Sequence, residues 1–520
     1  MINPGLIYLG GGIGLYFLKE EVRPKAGILV SIAALFYIYS LPINVEGSIV
    51  SFLDFELILF SVDKVSRFIG LVFGLASLTS LVYSFPFVER KYYFLAYIYI
   101  GSAVSLLFVG DLFSFYIFWE LMTITSYFLL LSGQTSSKSQ NSYYYFIMHV
   151  IGALSLLGAI LLRYNISGSI ALAQIEKGVP LVMIAVGIKM AFIGLHTWLP
   201  KNYSQVSFPI SLLLSAYTTK VGVYALYRLV GPGKFIAYAG VICAFVGVML
   251  ALLQTDIRRV LSYHLIGQVG FMVVGLGLGT ELGKVGAFTH LWNHVVYKGL
   301  LFMVAGVLIY SAGESDLKKI GGAIEVLPWT AVCGVIGALA ISGFPFFNSY
   351  MSKLLIKEAS TDLFIRGGLY LTTLLTALDA VLKIVYLAFF SPGEVECKRK
   401  PTRNMKLGMS LLAVLVLIIG FRPALLTEFL GFEKQVYFYS LYNIRGALEP
   451  VFLGGIIFWM SRKTIVSYLK TEIEVDPYSH WGRSVFFLGS KISKVHNGNL
   501  SRYVFWMAIS LILVWGLFLY

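Results

Sequence analysis

The run Phe118-Trp119-Glu120-Leu121-Met122-Thr123-Ile124-Thr125-Ser126-Tyr127-Phe128-Leu129-Leu130-Leu131 decides how the rest of the chain is read. It belongs to an apolar stretch of membrane length, and it carries one carboxylate, Glu120, with no other charge on its helix face. A charge at bilayer depth costs about 2.5–3.5 kcal/mol on insertion scales. Such residues mark ion pathways, or pair with a neighbour close to the membrane surface. The oddity recurs: Lys189, Lys220, His264, His290, His294, Lys298, Lys353 and the pair Asp379/Lys383 also sit in apolar runs. One buried charge is an anchor; a succession of them suggests a route.

Composition sets the class. The chain has 520 residues, 58% hydrophobic and 13% charged, with a mean hydropathy of +0.81. Soluble domains carry about 25% charged residues. The expectation is an all-α polytopic membrane protein, multi-pass in the cell membrane, with about fourteen to sixteen transmembrane helices. Counted in order, the spans run from residues 4–18 to 502–520. The first apolar run, Leu6–Leu18, lacks a basic leader and a small-residue cleavage site, so it reads as a retained helix. Cys243, Cys333 and Cys397 are scattered and form no Cys-x-x-Cys, so no disulfide framework or iron–sulfur site is indicated. No cofactor, metal site or catalytic group is expected here, and redox chemistry would lie on a partner. The net charge of +14 is dispersed among short loops, which fits membrane topology and not a nucleic-acid groove. With the N-terminus outside, the inside loops up to residue 323 hold 11 Lys/Arg against 7 outside, which places both termini outside.

Two spans are broken alike. Span 7 reads Gly187-Ile-Lys189-Met-Ala-Phe-Ile-Gly194-Leu-His196-Thr-Trp198-Leu-Pro200. Span 12 reads Ala340-Ile-Ser-Gly343-Phe-Pro345-Phe-Phe-Asn-Ser-Tyr-Met-Ser-Lys353. Proline removes a backbone donor and frees a carbonyl, and irregular backbone at this depth must be buried in protein or line a wet cavity. Both could be ordinary proline kinks; a lysine close to each argues for a pathway built from repeats. Spans 4–8 and 9–13 show weak internal similarity, Lys220-Val-Gly-Val-Tyr224 against Lys383-Ile-Val-Tyr386, consistent with two inverted five-helix repeats.

The buried groups suit proton movement. In a low-dielectric site the charged form of lysine is disfavoured, so it can take up and release a proton near neutral pH. Glu120 with Lys189 could titrate as a coupled pair. In span 11, His290, His294 and Lys298 stand at i, i+4 and i+8 on one helix face. A zinc site would need a third ligand, absent from this pattern, whereas a His–His–Lys ladder suits a proton relay. His149 stands alone in span 6. Asp379 and Lys383, one turn apart, read equally as a structural ion pair or as part of the route.

These motifs resemble a known family. Phe-Trp-Glu120-Leu, Gly-x-Lys189 with His196-Thr-Trp-Leu-Pro200, Gln254-Thr-Asp256-Ile-Arg258-Arg-Val-Leu, His290-x-x-Asn-His294-x-x-x-Lys298 and Gly343-x-Pro345 with Ser352-Lys353 look like the antiporter-like subunits of respiratory complex I. The family includes the large subunits of multi-subunit Na⁺/H⁺ antiporters and of membrane-bound hydrogenases. Trp119-Glu-Leu-Met-Thr-x-x-Ser126-Tyr-Phe and Ser262-Tyr-His264 look most like the membrane-bound hydrogenase and archaeal sulfur-reducing type. The resemblance covers about residues 50–420. The chain departs from it at Asn202-Tyr203, at Ser207 and at Phe346, where the family usually has Ala-His, proline and proline; this puts a relay through the span 7–8 loop in doubt.

The resemblance implies scaffold helices over 1–92, repeats over 93–230 and 231–391 with helices 7 and 12 broken, C-terminal helices over 392–461, and a tail over 462–520. That tail is either an amphipathic lateral helix with a terminal anchor or an ordinary linker before one. It also implies an axis running Glu120, Lys189, Lys220, His294/Lys298, Lys353. The function expected first is an ion-translocating subunit, moving H⁺ or exchanging Na⁺ for H⁺, in a multi-subunit energy-converting complex. Its partners would be other membrane subunits, small antiporter-type subunits among them, and a redox module. The alternatives are the large subunit of a dedicated Na⁺/H⁺ antiporter without a redox module, and a purely structural membrane subunit.

Overall fold

The computed structural model describes residues 1–52, 55–87, 89–133, 139–393, 395–432, 434 and 436–469. The expected lateral segment beyond 469 and the terminal span 502–520 lie outside the described residues.

Two helices, α1 (Gly5–Phe17) and α2 (Arg23–Ser40), lead into an antiparallel hairpin of β1 (Val45–Phe52) and β2 (Phe55–Val62). The sequence reading assigned nothing to this segment. Val45 pairs with Val62 at one end of the hairpin and Phe52 with Phe55 at the other. Asp63 then caps α3 (Lys64–Ser84) with a reciprocal box: its carboxylate accepts Ser66 N at 2.7 Å, and Ser66 Oγ accepts Asp63 N at 2.9 Å.

From here the chain is helical: α4 (Arg90–Leu107), α5 (Leu112–Ser132), α6 (Ser139–Ser167), the half-helix α7 (Val179–Met190), the short α8 (Trp198–Tyr203) and α9 (Phe208–Leu229). A second series follows with α10 (Lys234–Leu252), α11 (Ile257–Gly277), α12 (Glu281–Ala312), the single turn α13 (Ala323–Val326), α14 (Pro328–Ser342), α15 (Asn348–Glu358) and α16 (Leu363–Asp379). The last continues as π-helix over Ala380–Phe390. The described chain closes with α17 (Arg403–Phe421), α18 (Ala424–Phe429) and α19 (Leu441–Leu469), which runs past residue 461.

Among the described residues, eight helices are long and apolar enough to cross a membrane, and α1, α7 and α14 are shorter apolar helices. The helical membrane fold read from composition is the fold observed, with the hairpin added. The core sits around α11 and α12, whose side chains are buried almost throughout.

One device occurs twice, 145 residues apart. Asp111 caps α5 through Ser114 N at 2.7 Å, and Asp256 caps α11 through Arg258 N and Arg259 N at 2.9 and 3.0 Å. Each also makes an isolated antiparallel bridge to a residue 60 positions on, Ala171 and Asp316 respectively. The bridging bonds match: Leu112 N to Ile170 O and Leu172 N to Gly110 O, then Ile257 N to Ser315 O and Leu317 N to Thr255 O. Such end-stitches satisfy backbone groups that a helix terminus leaves open.

Candidate functional site

Both helix breaks are present. At the first, α7 stops at Met190 and Ala191 takes a left-handed conformation (φ 58°), followed by Gly194 at φ 96°. At the second, α14 ends at Gly343 (φ 78°) and Phe346 is again left-handed (φ 69°). A left-handed non-glycine residue costs about 1–3 kcal/mol and persists only where its surroundings impose it. Gly343 has a further reason: a Cβ there would lie 2.9 Å from Lys353 Cδ.

A lysine stands at each break: α14 presents a C-terminal carbonyl, the negative end of its dipole, to Lys353, whereas Lys189 belongs to the last turn of α7 itself and reaches across to α5. Lys189 lies in the last turn of α7, and its ammonium donates to Thr123 Oγ1 at 3.0 Å and sits 4.4 Å over the Trp119 ring. That sets it beside the turn of α5 carrying Glu120, whose charge it senses. Glu120 is half-buried and accepts from Tyr116 OH at 3.3 Å. Lys353 reaches back from α15 to donate to Ile341 O of α14 at 2.7 Å, 4.9 Å over the Phe271 ring.

The three face residues of α12 are fully enclosed. His290 Nδ1 contacts Ser352 Oγ at 2.9 Å, and Lys298 donates to Leu261 O at 2.9 Å. The His290 and His294 rings lie nearly parallel, 6.2 Å apart. Both ring nitrogens of His294 are buried with no hydrogen-bond partner among the described residues. Lys220, buried in α9, donates to Ser215 O at 2.5 Å. It lies within electrostatic reach of His290, His294 and Lys298, and Lys353 within reach of both histidines.

The pair Asp379/Lys383 is not isolated. Asp379 Oδ2 lies 2.7 Å from His264 Nε2, and its Oδ1 lies 3.0 Å from Lys383 Nζ, all three residues having no exposed side-chain surface. Lys383 also donates to Ala251 O, Leu252 O and Gln254 O at 2.8, 2.6 and 2.7 Å, so it seals the C-terminus of α10. A cation held by three carbonyls and a carboxylate has the surroundings of a fixed structural charge. His264, whose Nδ1 has no partner among the described residues, is the member of the cluster free to change.

Sequence reasoning assigned no role to two groups that pack beside these residues. His149 stacks on Tyr145 at 4.0 Å, meets Trp198 at 4.6 Å and senses the charge on Lys189. Asn293 and Asn348 lock α12 to α15 by donating to each other's backbone carbonyls at 2.8 and 3.2 Å. The i, i+3 spacing of His290 and Asn293 was the available signal for the second.

His294→Ala is expected to slow ion movement about 10²-fold, the lower end of what a positioned proton carrier contributes. His149→Ala should change the rate far less, because its Nδ1 is engaged by Tyr145 O of its own helix at 2.9 Å. Transport assays on the two variants side by side check this; equal effects would remove the relay role of His294.

The fold, the paired breaks and the buried charges define a membrane subunit of the ion-translocating, antiporter-like class. The chain belongs to the NADH:quinone oxidoreductase/Mrp antiporter membrane family, whose sequence pattern matches residues 109–378. It is 31% identical over 388 residues to a Na⁺/H⁺ antiporter subunit of Alkalihalophilus pseudofirmus, covering 70% of this chain and 77% of that one. Its fold is similar to a chain of the Mrp complex from Dietzia sp. DQ12-45-1b (TM-score 0.81, 22% identity), covering 99% of this chain but only 62% of that chain's length. It is also similar to a chain of the membrane-bound sulfane sulfur reductase, an archaeal respiratory membrane complex (TM-score 0.76, 20% identity), with 99% of both chains covered.

Proposed function

We propose that this chain is the ion-translocating subunit of a multi-subunit Na⁺/H⁺ antiporter of the Mrp type. The similarity to the Alkalihalophilus antiporter subunit, above 30% identity over most of both chains, carries this reading and favours it over the redox-linked role expected first. The proposed path runs Glu120, Lys189, Lys220, His294 with His290 and Lys298, then Lys353, through two five-helix repeats, α4–α9 and α10–α16. His264 and Asp379 form a side branch beside Lys298, and Lys383 holds that branch in place. Other membrane subunits of the complex are its partners, and H⁺ and Na⁺ its cargo.

A redox-linked subunit is the second reading, supported by the end-to-end fold similarity to the sulfur reductase chain and by the motif around Trp119. Reconstitution of the assembled complex in liposomes tests both. An imposed sodium gradient alone should move protons in the opposite direction, and Lys189→Met should stop it. Proton movement that requires a redox substrate would favour the second reading, and unchanged transport in Lys189→Met would reject the path.

A further inference from the structure

Five cations crowd the segment that leads into α17: Lys398, Arg399, Lys400, Arg403 and Lys406, all of them exposed. The segment is fastened down. Lys398 N donates to Ser311 O at the end of α12 at 2.8 Å, and the Arg399 guanidinium lies 5.7 Å over the Tyr310 ring. Thr402 Oγ1 accepts Met405 N at 3.2 Å and caps α17. Between residues 395 and 406 the sequence has one acid, Glu396. Among the described residues none of the five cations makes an ion pair, whereas Lys319, just past the end of α12, has Glu314 at 3.3 Å. Two of the five also stand at the wrong end of a helix. The first turn carries the positive end of the dipole, where acids stabilise and cations destabilise. That turn of α17 holds no acid, and Arg403 and Lys406 flank it. Setting the orientation of a span needs positive charge in the loop, not cations on the dipole without a counter-charge. The cluster is satisfied by an anion from outside the chain.

What lies below it names the anion. Leu407, Leu411, Val414, Ile418 and Phe421 are 39–62% exposed and follow one another at helical spacing, so they form a single apolar stripe down α17. Arg403 stands one turn above Leu407 on the same line, and α17 is long and apolar enough to cross a membrane. We propose that Arg399, Lys400 and Arg403 bind the headgroup of an anionic phospholipid whose acyl chains lie along this stripe. Guanidinium groups grip a phosphate through paired hydrogen bonds, and basic clusters beside a span attract anionic lipid. An acidic protein segment would neutralise the cations but leave the stripe bare; a lipid covers both. Through Ser311 and Tyr310 the bound headgroup would steady the end of α12, the helix that carries His290, His294 and Lys298.

The test uses the complete complex in phosphatidylcholine nanodiscs. These carry a trace of photoreactive phosphatidylglycerol or, in parallel, of phosphatidylcholine with the same photoreactive acyl chain. Labelled peptides are read by mass spectrometry. The phosphatidylglycerol probe should mark the α17 peptide around Leu407 and Leu411 well above the phosphatidylcholine probe. The amount of plain phosphatidylglycerol that displaces half of the label should rise about 10²-fold in Arg399→Gln/Lys400→Gln/Arg403→Gln, at about fivefold per charge. Arg422→Gln, exposed at the far end of the same helix, should leave that amount unchanged. Assembly is checked in each variant; if the triple variant fails to assemble, Lys400→Gln, which lies outside the helix, decides by its fivefold shift. Equal labelling by the two probes overturns the proposal and leaves a plain lipid-facing surface. No labelling by either overturns it in favour of a neighbouring subunit seated on α17. Inorganic phosphate that displaces the probe as readily as phosphatidylglycerol does would reduce the site to one for small anions and reject the lipid.

Discussion

Lys353→Met is expected to abolish ion movement by the assembled complex, and Lys353→Arg to leave it abolished. The ammonium sits against Ile341 O at the end of a half-helix, where the dipole favours a cation. A fixed cation in that place would tolerate arginine, which keeps the charge and the donors. A carrier would not, because the guanidinium stays protonated, with a pKa above about 12. Methionine is similar in length and apolar, so it retains packing while removing the titratable group. Ion movement in membranes, with assembly checked separately, decides. Full activity in Lys353→Arg would show that the residue supplies charge alone.

Glu120→Gln should reduce coupled transport by about 10²-fold or more while the complex still assembles, since a positioned proton-transfer group contributes that much. Glutamine keeps the shape and can still accept from Tyr116 OH, so the structural cost is small. What it removes is the charge sensed by Lys189, one helix away. The ammonium of Lys189 would keep Thr123 and the Trp119 ring but lose its carboxylate neighbour. Coupled pumping at the unsubstituted level would reject the pair as a working unit.

The parts of the site legible in the sequence are those written in local chemistry. Gly343 and Pro345 announced the second break; the first comes earlier than its proline suggested, at Ala191 and Gly194, with Pro200 inside α8. The α12 face was legible because His290, His294 and Lys298 obey helical spacing. The His264–Asp379 contact joins residues 115 positions apart, and no periodicity reports a partner on another helix. The role of Lys383 was hidden for the same reason: its ligands are backbone carbonyls of α10, which carry no side-chain signature. The hairpin could have been found, since two runs rich in aromatic and branched residues separated by two positions are a strand signal. Its apolar residues instead blended into the hydropathy of the flanking helices.

The stitches at Asp111 and Asp256 have a consequence for how the two halves can move. On the proposed two five-helix repeats, five passes would lie between them, and an odd number would set the stitches on opposite surfaces of the membrane. On that reading each half would be fastened at a different water–lipid boundary by the same knot. They are not dressed alike: Asp111 also accepts Ile58 N at 2.9 Å and so pins the hairpin, whereas Asp256 holds Ser315 Oγ at 2.5 Å and carries no such flap. The two matching stitches are thus braced unequally among the described residues: one ties its helix start to the hairpin, the other to a loop serine.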